Sequence, residues 1–454
     1  MELDTIVGLA KRRGFIYPGS EIYGGLRNSW DYGPLGVQLK NNLRDSWWKH
    51  YVEGRRDVVG LDAAILMNPK VWEASGHVES FNDLLIECKK CNARFRADDL
   101  VESAVDGQNA DGLSGDEISV LIDEHDIKCP ECGEHDFTDA RAFNQLFETS
   151  LGKVEGDKQN VYLRGELAQS MFVDFKGIMN SMRMTLPFGI AQVGKVFRNE
   201  ITPGNFTFRT LEFDLMEFEY FVHESNWKES FDYWLKDMQE WVVNDVGISM
   251  ECLREREHSS EERAHYSERT VDIEYKAPFG WKELFGIAYR TDYDLKRHAE
   301  ASGEDLQVAD ESGKKFFPHV IEPTFGLTRL VLFALIDAYS EEEVNGEKRV
   351  VLKLKPDLAP YQVAVLPLSR KEELMNAAEP IVDELSAQFN CDYDVTQSIG
   401  KRYRRQDEIG TPYCVTVDFD SLGDHAVTVR DRDTMGQDRV SIEEVGEYIR
   451  EKLG

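Results

Sequence analysis

"FRNEITPGNFTFRTLEFDLMEFEYF", residues 197–221, sets Arg198 and Arg209 on either side of a Thr-Pro-Gly-Asn stretch and interleaves acids with aromatic rings beyond it. Pro203-Gly204 is a turn signal, and the flanks on both sides are rich in β-branched and aromatic residues, so the stretch predicts an antiparallel hairpin. Side chains alternate faces along a strand. Arg209, Phe213 and Glu217 are then expected on one face and Phe208, Glu212 and Phe218 on the other, with Arg198 and Glu200 sharing a face of the preceding strand. A sheet surface that carries cations, a ring and a carboxylate suits a nucleoside triphosphate: guanidinium groups meet phosphates and a ring stacks on a base. An edge hairpin with surface ion pairs is the alternative that spacing alone leaves open.

The chain has 454 residues, enough for two or three domains with separate cores. A hydrophobic share of 41% with 11% aromatics argues against disorder. The opening MELDTIVGLAKRRG has no apolar run of the signal-peptide kind. LTRLVLFALIDAY, 327–339, is too short to cross a bilayer and carries Arg329. Both features predict a soluble, cytoplasmic protein with no membrane partner. The net charge of -31 repels a polyanion at long range, so a nucleic-acid partner has to be met by a local basic patch. KRYRR, Lys401–Arg405, is such a patch, although a run of this kind equally suits a solvated face.

Four of the seven cysteines are arranged in pairs, Cys88 with Cys91 and Cys129 with Cys132, with 37 residues between the two pairs. Two Cys-x-x-Cys knuckles can supply four thiolates to one tetrahedral Zn²⁺ in a structural role; redox or unpaired thiols are the competing reading. The intervening DGQNADGLSGDE, 106–117, reads as an exposed loop. Leu35, Leu39, Leu43 and Trp47 recur at the four-residue spacing of an apolar helix face, and DVVGLDAAILM, 57–67, reads as a strand. SEEEVNGEKR, 340–349, predicts a hairpin tip at Asn-Gly. Beyond it, YQVAVLPL, a helical stretch with Ile381 and Leu385, YCVTVDF and HAVTVRD alternate strand and helix as a separate small α/β domain would.

Longer motifs carry a family resemblance. FRNE with Arg209-x-x-x-Phe213 resembles motif 2 of the class II aminoacyl-tRNA synthetases, and EPTFGLTR, 322–329, resembles motif 3. YGPLG (32–36), DAAILMNP (62–69), WEASGH (72–77), PFGIAQVGKVFRNEITPGNFTFRT (187–210), HVIEP (319–323), KLKPDLAP (353–360) and RRQDEIGTP (404–412) together resemble the homodimeric type of glycyl-tRNA synthetase. The resemblance runs from about residue 5 to the C-terminus. It implies an α+β fold: a class II antiparallel-sheet catalytic domain over 1–348, flanked by helices, interrupted by a four-cysteine zinc-type insertion at 85–140 and a second insertion at 222–318. An α/β anticodon-binding domain follows over 349–454. The implied partners are ATP with Mg²⁺, glycine, tRNA(Gly) and a second copy of the chain, with the 35–52 helix as a candidate dimer element.

The resemblance also implies roles. Arg198, Glu200 and Arg329 are the catalytic candidates, with Arg198 on the α-phosphate and Arg209 and Arg329 on the outer phosphates. Phe213 is expected to stack on adenine beside Arg329, and Glu283 to hold Mg²⁺. Asn199, Phe208, Thr210, Leu211, Glu212, Leu284, Gly326, Leu327 and Thr328 complete the ATP set. Arg96, Glu166, Glu217, Glu322 and Thr324 are implied for glycine, with Phe213, Asp214, Leu215, Met216, Pro323, Phe325 and Gly326 around them. Lys401, Arg402, Arg404 and Arg405 are the candidate tRNA contacts, while His77 and His319 read as packing or hydrogen-bonding residues. RGELAQ, 164–169, departs from the family's Arg-Pro-Glu-Thr-Ala-Gln at Gly165 and Leu167, and Thr324 replaces a serine. Two other readings remain: a non-catalytic protein on this fold, which should have lost the motif arginines, and a ligase for a different amino acid.

Overall fold

The computed structural model describes residues 2–453 except 106, 107, 109, 111, 154, 155, 157, 261 and 311. The quoted stretch lies at the heart of a seven-stranded sheet. Its order is Leu253–Glu257, Arg269–Ala277, Gly280–Thr291, His319–Gly326, Glu212–Val222, Phe188–Phe197 and Val58–Gly60. All neighbours are antiparallel but the last, where Val58–Gly60 runs parallel to Gly189–Ala191. The strand read from 57–67 is therefore short. It pairs over three residues only, and the chain then leaves the sheet, with Leu66 making an isolated bridge to Leu163.

The expected hairpin exists, but its connection is long. Phe197 pairs with Glu212 and Phe188 with Phe221, so residues 198–211 form a loop. Inside that loop Gly204 bridges Arg209 around a small turn in which Asn205 and Phe206 take φ of 55° and 60°. Phe208, Arg209 and Glu200 thus lie outside the strands, and strand alternation does not govern them. From Phe213 onward it does. Phe213, Leu215, Glu217 and Glu219 share one face, whereas Met216 and Phe218 turn the other way into the main core.

That core is built by helices Pro34–Trp48, Trp227–Trp241 and Leu327–Ala338. Leu35, Leu39, Leu43 and Trp47 are all buried, with the Trp47 ring 5.7 Å from Phe325. Burying such side chains contributes about 1.5–3 kcal/mol each. The helix passes so close to the N-terminal segment that a β-carbon on Gly36 would lie 1.8 Å from the Phe15 carbonyl oxygen. Its apolar face is filled from within the chain, which corrects the expectation that this face meets a twin. Residues 222–318 are likewise no appendage. They supply the Trp227–Trp241 helix and three of the sheet's strands.

The cysteine-bearing segment folds on strands Arg94–Arg96, Asn82–Glu87 and Arg141–Asn144, with helices Ala97–Ala104 and Gly115–Glu124 packed on its own small core. Ser114 and Glu117 form a reciprocal cap, so the stretch expected as a loop to 117 turns helical at Gly115. Asp106, Gly107, Asn109 and Asp111 of that stretch lie outside the described residues. Downstream, Asn345 and Gly346, with φ of 54° and 80°, close the expected hairpin of Tyr339–Val344 with Glu347–Leu352. A five-stranded sheet ordered Cys391–Tyr393, Val363–Pro367, Tyr413–Val417, Ala426–Asp431 and Gln437–Ser441 then carries its own hydrophobic core. Among the described residues no helix is long and apolar enough to cross a membrane.

Candidate active site

Two cavities open on the sheet face that carries Phe213, Leu215 and Glu217. The first is lined by Arg198, Glu200, Phe208, Arg209, Phe213 and Arg329, with Thr207, Thr210, Leu215, Glu283, Thr324, Gly326 and Thr328. Arg198 is set by the loop start: its backbone N–H donates to Leu211 and its Nε to the Gly165 carbonyl at 3.1 Å. Its guanidinium lies 5.5 Å from the Phe213 ring. Arg329, on the first turn of the 327–338 helix, donates to the Phe208 and Glu283 carbonyls and pairs with the Glu283 carboxylate at 2.8 Å. The Phe208 ring lies 4.6 Å from the Arg329 guanidinium, and Phe213 lines the same cavity. Arg209 pairs with Asp99 of the cysteine-bearing segment at 3.0 Å and lies 3.9 Å from Glu200. Burial raises the Glu200 carboxyl above its usual range, with Arg209 and Arg198 opposing the rise.

The second cavity adjoins the first and shares Arg198, Leu215, Glu283 and Thr324 with it. Glu166, Glu217 and Glu322 converge there. Glu217 accepts from the Leu167 backbone N–H at 3.2 Å, and the carbonyl of Gly165 is the one that holds Arg198. Both departures from the family pattern therefore act at this site through backbone groups that any residue offers. A β-carbon on Gly165 would sit 3.1 Å from Phe81, which favours the small residue. Burial, Glu322 and Glu166 push the Glu217 carboxyl far above its usual range. Burial acts the same way on Glu166, yet His77 and Arg290 hold it well below that range.

Sequence reasoning missed the groups that organise these acids. Arg290 is wholly buried; it donates to Glu322 and to Asp294, and lies 3.6 Å from Glu166. The Tyr266 ring covers its guanidinium at 3.8 Å. His77 contacts Glu166 at 3.2 Å and Ser75 at 2.8 Å, so it belongs to the site rather than to packing alone, whereas His319 bonds Tyr289 as expected. The i,i+4 spacing of Arg290 and Asp294 is readable as an ion pair, but nothing in it points to three glutamates that are remote in sequence.

Other expected side chains do not reach the cavities. Leu284, Leu327, Met216 and Phe325 are buried in the main core, and Pro323 shares the strand face of Phe325. Leu211, Glu212 and Asp214 line a different hollow with Lys195, and Asp214 pairs with Lys40 at 2.8 Å. The Asn199 backbone N–H donates to Gln145. Arg96 pairs with Asp98 and Asp83, and its backbone N–H donates to Thr202 of the arginine-bearing loop, so it braces that loop from the cysteine-bearing segment. In the basic run, which is a helix over Ile399–Ile409, Arg402 is buried and bonds the Pro367, Leu368 and Asp394 carbonyls, which corrects its expected role at the surface. Arg405 pairs with Asp394; Lys401 and Arg404 reach the surface.

The four paired cysteines bring their sulfurs within 4.8 Å of one another, with Cys88–Cys132 and Cys91–Cys129 both at 3.6 Å. A tetrahedron of Zn–S bonds near 2.3 Å has edges of about 3.8 Å, so the set fits Zn²⁺. Glu283 is joined by a second carboxylate: a β-carbon on Gly286 would lie 3.6 Å from Asp272 Oδ1 and 3.9 Å from Glu283 Oε1. Carboxylate oxygens are ligands of the kind Mg²⁺ takes; here Asp272 also bonds His258 at 2.7 Å and Glu283 pairs with Arg329.

Comparison with known proteins agrees with this geometry. Residues 153–339 match the tRNA synthetase class II core domain (G, H, P, S and T), and residues 362–452 match an anticodon binding domain. The chain is 54% identical to a glycine–tRNA ligase of Caldanaerobacter subterraneus subsp. tengcongensis over 99% of its own length and 98% of that protein. It is 55% identical to one from Clostridium acetobutylicum over the same shares. A prolyl-tRNA synthetase from Cryptosporidium parvum, solved with L-proline and AMP, shares the fold with a TM-score of 0.62 at 14% identity, covering 99% of this chain and 78% of that one. The chain belongs to the glycine–tRNA ligase family of class II aminoacyl-tRNA synthetases.

Proposed function

We propose that the chain activates glycine with ATP to glycyl-adenylate and pyrophosphate, then transfers glycine to the 3′-terminal adenosine of tRNA(Gly). The observation that carries the site assignment is the position of Arg198 between the two cavities, one lined by arginines and rings and the other by glutamates. Phosphates suit the first and a primary ammonium the second. Glycine seated with its ammonium toward Glu166, Glu217 and Glu322 directs its carboxylate to Arg198, where the α-phosphate lies. In-line attack of a carboxylate oxygen on the α-phosphorus forms the adenylate and expels pyrophosphate, with Arg198, Arg209 and Arg329 stabilising the charge on the phosphate oxygens. Mg²⁺, held by Glu283 with Asp272, would neutralise phosphate charge when bound. The adenosine hydroxyl then attacks the glycyl carbonyl, the acyl–phosphate bond breaks, and the hydroxyl proton passes to a phosphate oxygen of the departing AMP. No step asks a side chain to shuttle a proton.

Pyrophosphate exchange into ATP, run with each amino acid in turn, tests this reading. Exchange with glycine alone supports it. Exchange with another amino acid selects a different specificity, and silence with all of them selects a non-catalytic role, which the retention of Arg198, Arg209 and Arg329 in one cavity argues against. The reading extends to a homodimer in the cytoplasm, a structural Zn²⁺ on Cys88, Cys91, Cys129 and Cys132, and a division near residue 348 into catalytic and anticodon-binding units. Lys401 and Arg404 are the helix residues placed to meet tRNA phosphates.

A further inference from the structure

Deeper than Glu217 and Glu322 lies Glu219, which the mechanism above does not use. It shares a strand face with Glu217, and the ladder that pairs Glu217 with Thr324 and Tyr220 with Ile321 sets it across from Glu322. Carboxylate oxygens of Glu217, Glu219 and Glu322 lie within 4.8 Å of one another. Glu219 is wholly buried, and neither of its oxygens has a hydrogen-bond partner among the described residues. Gln192 Nε2, on the adjoining strand, is buried and unpartnered in the same way.

The surroundings supply little positive charge. Glu217 shares the strand, Glu322 faces it from 319–326, and Arg290 from the end of 280–291. Asp294 and His298 come from the 293–302 helix, Glu166 from the segment before the 168–182 helix and Gln169 from its start, and His77 stands on Glu166. Arg290 is the permanent cation bonded to the cluster, and its bonds go to Asp294 and Glu322; the buried Arg164 lies within Coulombic reach of Glu217 but bonds backbone carbonyls, and Arg198 lines the same cavity from the nucleotide side. Three carboxyls this close, sharing one guanidinium with two further acids, do not all ionise in a buried site. Burial and Glu322 accordingly push Glu219 far above the usual carboxylate range.

We propose that Glu219 is a positioning residue of the glycine site: the three-carboxyl cluster holds a proton while the cavity is empty, and seating the glycine ammonium expels that proton to solvent. The inference rests on the reading of the cavity as the glycine site. Glycine enters as its zwitterion and keeps its three ammonium protons; one carboxylic O–H dissociates, its electron pair stays on the oxygen, and the proton leaves through the open mouth. The ammonium replaces the proton as the cluster's counter-charge, so a neutral group of similar size gains nothing there.

Calorimetry decides the matter. Glycyl-sulfamoyl-adenosine, a non-reactive adenylate mimic, is titrated into the full-length protein at pH 7 in phosphate and in Tris, whose protonation enthalpies differ. Adenosine sulfamate without the glycyl group serves as control. The expected result is about one proton released per site with the glycyl probe beyond the control, and less than half as much from Glu219→Gln. Equal release by wild type and variant, or none from wild type beyond the control, overturns the proposal. A second measurement needs no variant. Between pH 7 and 5 the dissociation constant of the glycyl probe, relative to the control, should rise by up to about tenfold per pH unit; a flat ratio overturns the proposal. A glycyl probe that binds no better than the control instead overturns the glycine reading, and the proposal with it.

Discussion

Arg290 reaches Asp294 through two hydrogen bonds, 2.8 Å and 3.0 Å long, from a guanidinium with no exposed surface. The same group also donates to Glu322, so a single side chain ties the 293–302 helix to the strand that carries a candidate glycine ligand. Removing one partner of such a buried set leaves the other charges uncompensated, at a cost of about 3–5 kcal/mol. Arg290→Ala should therefore lower the melting temperature and abolish saturation with glycine together. Arg290→Lys should keep more stability yet still raise the glycine KM, because an ammonium lacks the planar fork that serves Asp294 and Glu322 at once. Equal glycine KM values for Arg290→Lys and wild type would refute this role.

The nucleotide cavity separates two arginines. Arg198 adjoins both cavities, whereas Arg329 reaches only the first. Arg198→Ala should cut glycine-dependent pyrophosphate exchange by about 10²–10³ through kcat, as expected of a donor that acts on charge developing in the transition state. Phe208→Leu removes the ring under Arg329 and should act mainly on the ATP KM, with a loss of about 0.5–2 kcal/mol. A kcat defect confined to the Phe208 variant would reverse this assignment.

The residues that were legible in the sequence share a property: each sits in a contiguous motif whose backbone carries it to the cavity. Phe213 and Glu217 obey strand alternation because Glu212–Val222 is a regular strand. Arg209 and Phe208 do not, because the loop from 198 to 211 contains two residues at positive φ that no periodicity encodes. Arg402 is polar in composition and buried in fact; its two terminal nitrogens bond the carbonyls of Asp394 and of the remote pair Pro367 and Leu368, and local charge density cannot reveal that. The roles of Arg290 and Glu219 were hidden because Glu322, which Arg290 bonds and Glu219 faces, stands on a neighbouring strand remote in sequence.

The cysteine cluster is coupled to the nucleotide loop by the Arg96 N–H bond to Thr202, 3.1 Å, and by the Arg209–Asp99 pair. Metal analysis should find one zinc per chain. Cys129→Ser, at a buried ligand, should lose it, expose 85–140 to limited proteolysis and raise the ATP KM while leaving the C-terminal sheet folded. Retention of zinc by this variant, or an unchanged proteolytic pattern, would exclude a structural site built on the four cysteines.

Glu219 gives a stability prediction distinct from its part in binding. Its carboxyl is raised above the unfolded value, so in the folded state it stays protonated where the unfolded chain has lost the proton. Its contribution is fully favourable below the unfolded pKa near 4.5 and declines as pH rises toward the folded value. Glu219→Gln keeps the neutral form at every pH. The melting temperature of the variant minus that of wild type, without ligand, should climb from pH 5 to pH 8. A difference that stays constant over this range would mean that the folded Glu219 carboxyl is not raised above its unfolded value.

The 399–409 helix offers a test in which neighbouring arginines diverge. Arg402 lies inside, so Arg402→Ala strands the Pro367, Leu368 and Asp394 carbonyls at about 1–3 kcal/mol for each left unsatisfied, and it should destabilise the C-terminal unit whether or not tRNA is present. Lys401 is exposed and Arg404 half-buried, so Lys401→Ala should leave the melting temperature nearly unchanged and Arg404→Ala should change it far less than Arg402→Ala. Each should instead reduce the slope of log tRNA affinity against log salt by about 1 if it meets a phosphate. With a net charge of -31 opposing approach, losing both should weaken tRNA binding most at low salt, where the patch is least screened. Salt slopes that match wild type in both variants would move the RNA-binding face elsewhere on the domain.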